Sequence, residues 1–504
     1  MKLNLKTTLQ KLALCLSMLG AALTLWAQEP AAARQPRSMD AWVTFADRSG
    51  LLAKQARPIY FGRNSGSGWP IIIDERQSFQ TMDGFGFALT GGSAQHLNAM
   101  SPEARAKILQ ECFGTGEGTV NFNYIRLSLG ASDLNSFVYS YNDLPEGETD
   151  FELEKFSLGH DCDDVIPVLK EILAIQPDIK IMSSPWSAPT WMKTNGKVRG
   201  GSLKKECYGV YALYFAKYIE AMKEEGITID AITIQNEPLN SNNTPSLVMR
   251  DTEQLDFLKN HLGPLLRERG LTTRVVLFDH NCDRPDYALN ILSDPDAAQY
   301  VDGSGFHHYG GDISVMSLMH QARPDKNLYF TEQMVIERPG SRSIAIAEQV
   351  NRLIIGCCRH WSNNVLLWNL AADPENKPHT DNGGCTICQG ALTIDGEEVT
   401  RNLAYYVIAH ASKFVPPGSI RIASTAPWDS SVNLTSDEER REVKRATVIA
   451  HSNVLPNVAF KTPEGKIVLI IANTSWSVQS AKVQYNGAFA TLRLPPGAVG
   501  TYVW

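Results

Sequence analysis

Two glutamates stand 95 residues apart, Glu237 in Gln235-Asn236-Glu237-Pro238 and Glu332 in Thr331-Glu332-Gln333. Each follows a short apolar, β-branched run, the setting in which a carboxylate is presented at the end of a strand. One carboxylic acid that protonates a departing oxygen, with a second carboxylate that attacks carbon or activates water, is the minimal apparatus for cleaving a glycosidic bond. The residues at the ends of neighbouring runs suit the same chemistry: Trp186 and Trp191, His307-His308-Tyr309, and Trp368-Asn369. Flat rings stack on sugar faces, and Asn236, Arg126 and Asp133 offer partners for hydroxyls. Each residue also has a blander reading. A lone Glu at a strand end is commonly a salt-bridge partner, a lone Trp is commonly core, and Asn-Glu-Pro and Thr-Glu-Gln are short enough to arise by chance. Their placement on separate strands of one architecture is what raises the catalytic reading.

That architecture follows from periodicity. Eight short runs read as strands: 82–89, 122–129, 179–186, 231–236, 274–279, 303–309, 327–332 and 365–370. Helical patterns lie between them. Ser101-Pro102-Glu103 supplies an N-cap, a first-turn proline and a first-turn acid, with Ile108, Leu109 and Cys112 as the apolar stripe. Tyr208, Tyr211, Phe215, Ile219 and Met222 recur at helical spacing and stop at Gly226; Leu255, Leu258, Leu262 and Leu265 do so before Gly270, and 344–355 is a further long candidate. Eight strands alternating with helices predict a parallel α/β fold, a closed (β/α)8 TIM barrel over residues 76–414, with the reactive groups at the C-terminal ends of its strands. A doubly wound open sheet is the alternative, but Gly84-Phe85-Gly86 and Gly91-Gly92 do not complete a dinucleotide fingerprint and there is no P-loop. Strand-like runs at 466–472, 481–485 and 490–494, with turns at 463–465 and 495–497, predict an antiparallel β-domain over 415–504. Residues 39–75, including Pro70-Ile71-Ile72-Ile73, are expected to complete it as a β-sandwich drawn from both ends of the chain.

The 504 residues are 43% hydrophobic and 20% charged, which excludes collagen, coiled-coil rods and wholesale disorder. A net charge of −7 argues against a nucleic-acid partner. Lys2, Lys6 and Lys11 precede an apolar run from Leu12 to Trp26 and the small Ala27, so residues 1–27 read as a signal peptide, residues 28–38 as a disordered spacer, and the mature protein as secreted or periplasmic without a transmembrane segment. The charged run 437–444 reads as a solvated loop. Of nine cysteines, Cys385 and Cys388 are spaced for a local disulfide, and Cys357 and Cys358 for helix packing. A single CxxC lacks the ligands of a structural zinc site, and His307-His308 has no third ligand at a matching spacing, so neither a metal nor a cofactor is expected. No GxSxG nucleophile elbow is present.

Longer segments carry a resemblance. Met82-Asp83-Gly84-Phe85-Gly86, Tyr124-Ile125-Arg126-Leu127-Ser128 with Ser132-Asp133, the run Ser184-Pro185-Trp186-Ser187-Ala188-Pro189-Thr190-Trp191-Met192-Lys193-Thr194-Asn195-Gly196, Thr233–Pro238, Phe330-Thr331-Glu332, Trp368-Asn369-Leu370 and His410–Gly418 are together similar to glycoside hydrolase family 30. The resemblance implies a (β/α)8 barrel with a β-sandwich, Glu237 as acid/base and Glu332 as nucleophile. It further implies sugar contacts from Asp133, Trp186, Asn236, Tyr309 and Trp368, with Arg126 supporting them. His308, and Gln333-Met334 after the nucleophile, depart from the lysosomal glucosylceramidase pattern and are nearer to the β-1,6-glucanase branch, which makes His308 a candidate substrate contact. The expected activity is retaining hydrolysis of β-glucosidic bonds in a β-glucan, with glucosylceramidase or β-xylosidase/xylanase as enzymatic alternatives and a non-catalytic carbohydrate-binding protein as the alternative of another class. A double displacement requires Glu237 to start protonated, so its pKa is expected above the ordinary 4.3 or so through repulsion by Glu332.

Overall fold

The computed structural model describes residues 38–63, 70–338, 340–425 and 455–504. The leader at 1–27, nearly all of the 28–38 spacer and the charged run 437–444 therefore lie outside the described residues. Eight parallel strands close into a barrel: Gly84–Leu89, Tyr124–Ser128, Lys180–Ser184, Ala231–Thr233, Arg274–Asn281, Gly303–His307, Asn327–Glu332 and Ser362–Leu367. All eight overlap the runs read from sequence, the fourth ending three residues early and the eighth starting and ending three residues early.

The helices between them follow their local signals. Pro102–Phe113 begins where the Ser101 side chain accepts from the Ala104 N–H, and it buries Ile108, Leu109, Cys112 and Phe113. Tyr208–Glu224 gives way to Gly226 at φ 82°. The two remaining helical patterns are not uniform α-helices. Leu258–Leu262 and Val350–Ile355 are π-turns between α segments, so each apolar stripe is carried past a change of register. Cys357 and Cys358 are buried in the short helix Gly356–Arg359, as packing residues.

Strand alternation stacks the barrel interior in layers. Tyr124, Met182, Ala231, Val276, Tyr329 and Leu366 fill the lower part as one apolar cluster. Two residues further along their strands stand Arg126, Ser184, Thr233 and Thr331, so the next layer toward the mouth is polar and is bonded to itself.

Ten strands from both ends of the chain form the second sheet. Ser38–Thr44, Ala53–Lys54, Ile59–Tyr60 and Pro70–Thr81 come from the N-terminal side. Ile420–Ser424, Asn457–Lys461, Ile467–Ala472, Gln479–Tyr485, Ala488–Leu494 and Val499–Val503 come from the C-terminal side. The pairing is antiparallel except where Gln479–Tyr485 runs parallel to Pro70–Thr81. The expected division at residue 75 falls inside that long strand, which continues to Thr81 and reaches the first barrel strand within two residues. Its own core holds Met39, Ile71, Ile422, Leu469, Ile471, Val483, Leu492 and Tyr502. No helix among the described residues is long and apolar enough to cross a membrane.

Candidate active site

Arg126 organises the mouth of the barrel. Its guanidinium is fully buried and donates to Glu332 Oε2 at 2.6 Å, Asn236 Oδ1 at 2.7 Å, Asp279 Oδ2 at 2.8 Å and Ser184 Oγ at 3.2 Å. A buried cation requires this density of acceptors. Asp279 completes the layer by accepting from Thr233 and Thr331, both at 2.6 Å, and Arg126 holds it well below the ordinary carboxylate range despite its burial. Phe278 and Asp279 both have positive φ, where the register against the next strand shifts, and this irregularity turns Asp279 into the barrel.

Glu332 ends the seventh strand, buried, with the Tyr309 hydroxyl donating to Oε1 at 3.0 Å. Glu237 lies four residues beyond the fourth strand. That strand stops at Thr233, short of the expected Asn236, because the chain peels away: the Asn236 N–H donates to the Pro185 carbonyl, and the Glu237 N–H to the Asp279 carbonyl. Glu237 itself sits at φ 47°, a left-handed conformation that is costly for a side-chain-bearing residue and is held by these bonds. Asn240 and Asn243 donate to its Oε2 at 2.7 and 3.2 Å. An oxygen of Glu237 and one of Glu332 lie within 4.8 Å of each other, and each within 4.8 Å of a His307 nitrogen.

Trp186 and Trp368 stack at 5.2 Å beside this pair, with the Arg126 guanidinium 4.9 Å from the Trp186 ring. Asp133 is buried and faces both glutamates; burial, and then their charges, push its pKa up to about 8. Arg126, Asp133, Trp186, Asn236, Glu237, Tyr309, Glu332 and Trp368 are thus brought together. His308 is not among the groups that touch the glutamates. Its half-buried ring is influenced by Arg352 and Asp312 instead, because successive residues of a strand point to opposite faces.

His307 takes the place expected of His308. Its Nδ1 lies 3.3 Å from Glu237 Oε1 and its Nε2 3.0 Å from Asp279 Oδ1. Strand alternation was the available signal, since His307 is the residue of that pair in register with Glu332 on the adjacent strand. Burial alone would discharge the imidazole, but the charge of Glu332 and its bonds to Asp279 and Glu237 raise it to about 9. The same contact reverses the expectation for Glu237. Burial would raise that carboxyl, yet the hydrogen bond and charge of His307 hold it at about 2. Burial lifts Glu332 above its ordinary value against the pull of His307 and Arg126.

Glu237, His307 and Glu332 also have the spacing of a three-ligand metal site. The Arg126 guanidinium already supplies a positive charge to Glu332 at 2.6 Å, and both His307 nitrogens are engaged by carboxylates, Glu237 at 3.3 Å and Asp279 at 3.0 Å, so the donor set is built for proton exchange.

Residues 82–415 match the glycosyl hydrolase family 30 TIM-barrel domain, and residues 445–502 match the family 30 beta sandwich domain. The chain belongs to glycosyl hydrolase family 30. It is 34% identical to an endo-1,6-beta-D-glucanase of Neurospora crassa over 86% of this chain and 92% of that protein. Identity to the lysosomal acid glucosylceramidase of Mus musculus is 28%, over 87% and 84%. A solved endo-beta1,6-glucanase superposes with TM-score 0.80 at 32% identity, covering 93% of this chain and 99% of that one. As a family 30 member the protein is a glycoside hydrolase. The expected disulfide between Cys385 and Cys388 is formed, in the segment that follows the eighth barrel strand.

Proposed function

We propose that this protein is a retaining endo-1,6-β-glucanase, acting outside the cytoplasm. The observation that carries the mechanism is the approach of the Glu237 and Glu332 carboxylates to within 4.8 Å across the barrel mouth. That distance suits direct attack by one carboxylate and leaves little room for the intervening water of an inverting enzyme. The linkage is supported by the three endo-1,6-beta-D-glucanases at 30–34% identity, against 28% for the lysosomal glucosylceramidase. The leader-like N-terminus supports export.

In the free enzyme one proton is shared between His307 and Glu237 and rests on His307 Nδ1. When a sugar displaces water, the desolvated ion pair loses its advantage over the neutral pair, and the proton crosses to Glu237 Oε1. Glu332, aligned by Arg126 and Tyr309, attacks the anomeric carbon while Glu237 protonates the departing oxygen, breaking the glycosidic bond and forming a glycosyl ester. Glu237, now a carboxylate, takes a proton from an incoming water whose oxygen attacks the same carbon and releases Glu332. The net change is addition of one water with retained configuration. Trp186 and Trp368 supply the stacking surface, and Asp133 and Asn236 bind hydroxyls.

Product analysis tests the reading. The enzyme is expected to release short β-1,6-linked oligosaccharides from β-1,6-glucan, with the new reducing ends first appearing as β-anomers by proton NMR. Xylan and glucosylceramide are expected to be poor substrates. Glu332→Gln is expected to lose at least about 10³-fold in kcat. Glu237→Ala should keep the glycosylation step for aryl β-glucosides with good leaving groups and lose it for glucan. Release of α-anomers would overturn the retaining mechanism, and preference for xylan or glucosylceramide would overturn the linkage.

A further inference from the structure

The segment 380–390, between the eighth barrel strand and the next helix, has no helix or strand of its own, yet it touches three sides of the site. On one side, the Thr380 N–H donates to the Asp133 carbonyl at 2.9 Å, a Cβ on Gly384 would stand 2.9 Å from that same carbonyl oxygen, and the neighbouring Cys385 N–H acts to lower the pKa of the Asp133 carboxyl. On another, Cys388 packs with Trp186 and Trp368 in one buried cluster, and its carbonyl accepts from Asn369, the residue after Trp368, at 3.2 Å. On the third, Thr380 Oγ1 donates to the Thr244 carbonyl and Thr244 Oγ1 to the Asn382 carbonyl, beside the turn whose Asn240 and Asn243 hold Glu237. The close approach requires glycine: a Cβ on Gly383, which has φ 134°, would stand 2.5 Å from the Asn242 carbonyl oxygen.

A stretch without secondary structure is held by scattered bonds and has no continuous ladder to keep its conformation between them. The Cys385–Cys388 ring adds a covalent constraint in the middle of the segment. It holds the Cys385 N–H toward Asp133 and the Cys388 side chain against the stacked tryptophans at the same time. We propose that the Cys385–Cys388 disulfide is a positioning element of the sugar-binding pocket: it sets Asp133 and the Trp186–Trp368 pair for the substrate, so that sugar affinity depends on its oxidation state. This rests on the glycoside hydrolase reading of the site. The ring touches neither glutamate, so its opening weakens binding and spares the chemistry of bound substrate.

The experiment compares oxidised enzyme with enzyme treated with a phosphine reductant under native conditions. The phosphine takes the S–S bond to two thiols, becoming phosphine oxide with oxygen and protons from water. The six other described cysteines are already free, so the disulfide is the group among the described residues that this treatment changes, and thiol counting verifies the opening. Reduction is expected to raise KM for an aryl β-glucoside and for a β-1,6-linked gluco-oligosaccharide about tenfold, with kcat kept within about threefold. The Kd of Glu332→Gln enzyme for the β-1,6-linked glucose disaccharide, measured by calorimetry, should rise in parallel. Cys385→Ser/Cys388→Ser enzyme should behave as the reduced form, with a melting temperature close to wild type. Unchanged KM and Kd after verified reduction overturn the proposal, as does a joint collapse of kcat and melting temperature, which would make the ring a fold staple only. If oxidised enzyme fails on β-1,6-glucan while reduction still raises KM for the aryl glucoside, the linkage reading falls and the positioning role stands.

Discussion

In the proposed mechanism the proton that glycoside cleavage requires has two resting places, Glu237 and the His307 ring 3.3 Å from it, and the sequence marked His307 only as one of a strand-ending pair of histidines. With His307 raised to about 9 and Glu237 held at about 2, the pair carries one proton across the whole neutral range. Such a pair titrates as a unit. Activity should therefore persist until the pair loses that proton near pH 9 and fall on the acid side as Glu332, lifted above the ordinary carboxylate range, takes up a proton. Replacing the imidazole shifts one limb in a defined direction. In His307→Phe the cation is gone, burial raises the Glu237 carboxyl, and Glu237 must hold the proton alone. The alkaline limb of kcat/KM should then move down by about two pH units or more, toward a carboxylic acid's own range. An unchanged alkaline limb in His307→Phe would show that Glu237 does not exchange its proton with this imidazole. The Arg126 site makes a second demand at the same scale. Arg126→Lys keeps the charge but cannot reach four acceptors in one plane, so kcat should fall about 10²-fold or more while the melting temperature also drops, measured by steady-state kinetics and thermal unfolding.

At the scale of elements, closing the barrel depends on how near its first two strands approach. Gly86 pairs with Tyr124, and a Cβ on Gly86 would stand 1.8 Å from the Tyr124 carbonyl oxygen. That neighbour is ladder backbone and cannot rotate aside. Gly86→Ala should destabilise the fold by about 3 kcal/mol or more, read as a lowered denaturant midpoint and poor soluble yield. Wild-type stability in this variant would mean that the two strands are less tightly apposed. The eight barrel strands were legible in the sequence because a strand buried on both faces announces itself as an apolar run, and the polar residues that end those runs marked the catalytic face. The site was legible only as far as local order carries. Arg126 and Asp133 could be named, but the bonds that unite Arg126 with Glu332, Asn236 and Asp279 join three different strands and the turn after a fourth, and leave no local pattern. Asp279 went unremarked because its importance comes from an irregular register with positive φ, a feature that propensity does not encode. The same holds for the exchange of His307 for His308, and for the division at residue 75, which cuts one continuous strand because nothing in Pro70–Thr81 marks the passage from sheet to barrel.

At the scale of the molecule, the two halves are locked together by polar groups buried where they meet. Arg359, in a barrel helix, donates to Ser424 Oγ at 3.1 Å and to the Asn457 carbonyl at 3.2 Å, both in the second sheet. His410, on the barrel helix Leu403–Ser412, is fully buried between Thr44 Oγ1 at 2.8 Å and Thr501 Oγ1 at 2.9 Å, on the first and last strands of that sheet. No carboxylate is among its bonded partners, and burial holds its pKa down to about 3. A base whose folded pKa lies below its unfolded value binds its proton more readily in the unfolded chain. Its contribution to stability is therefore complete above about pH 6.5 and is lost progressively as pH falls toward 3, at a slope approaching 1.4 kcal/mol per pH unit. The carboxylates add their own acid dependence, so the test is a difference between variants. His410→Gln keeps hydrogen-bonding capacity for the two threonines without a titrating group. The unfolding free energy of wild type minus that of His410→Gln, followed by denaturant titration, should decline between pH 6.5 and 4 and be flat between pH 7 and 8. A pH-independent difference would mean that His410 is not buried as a neutral imidazole, and that acid does not separate the two halves at this point.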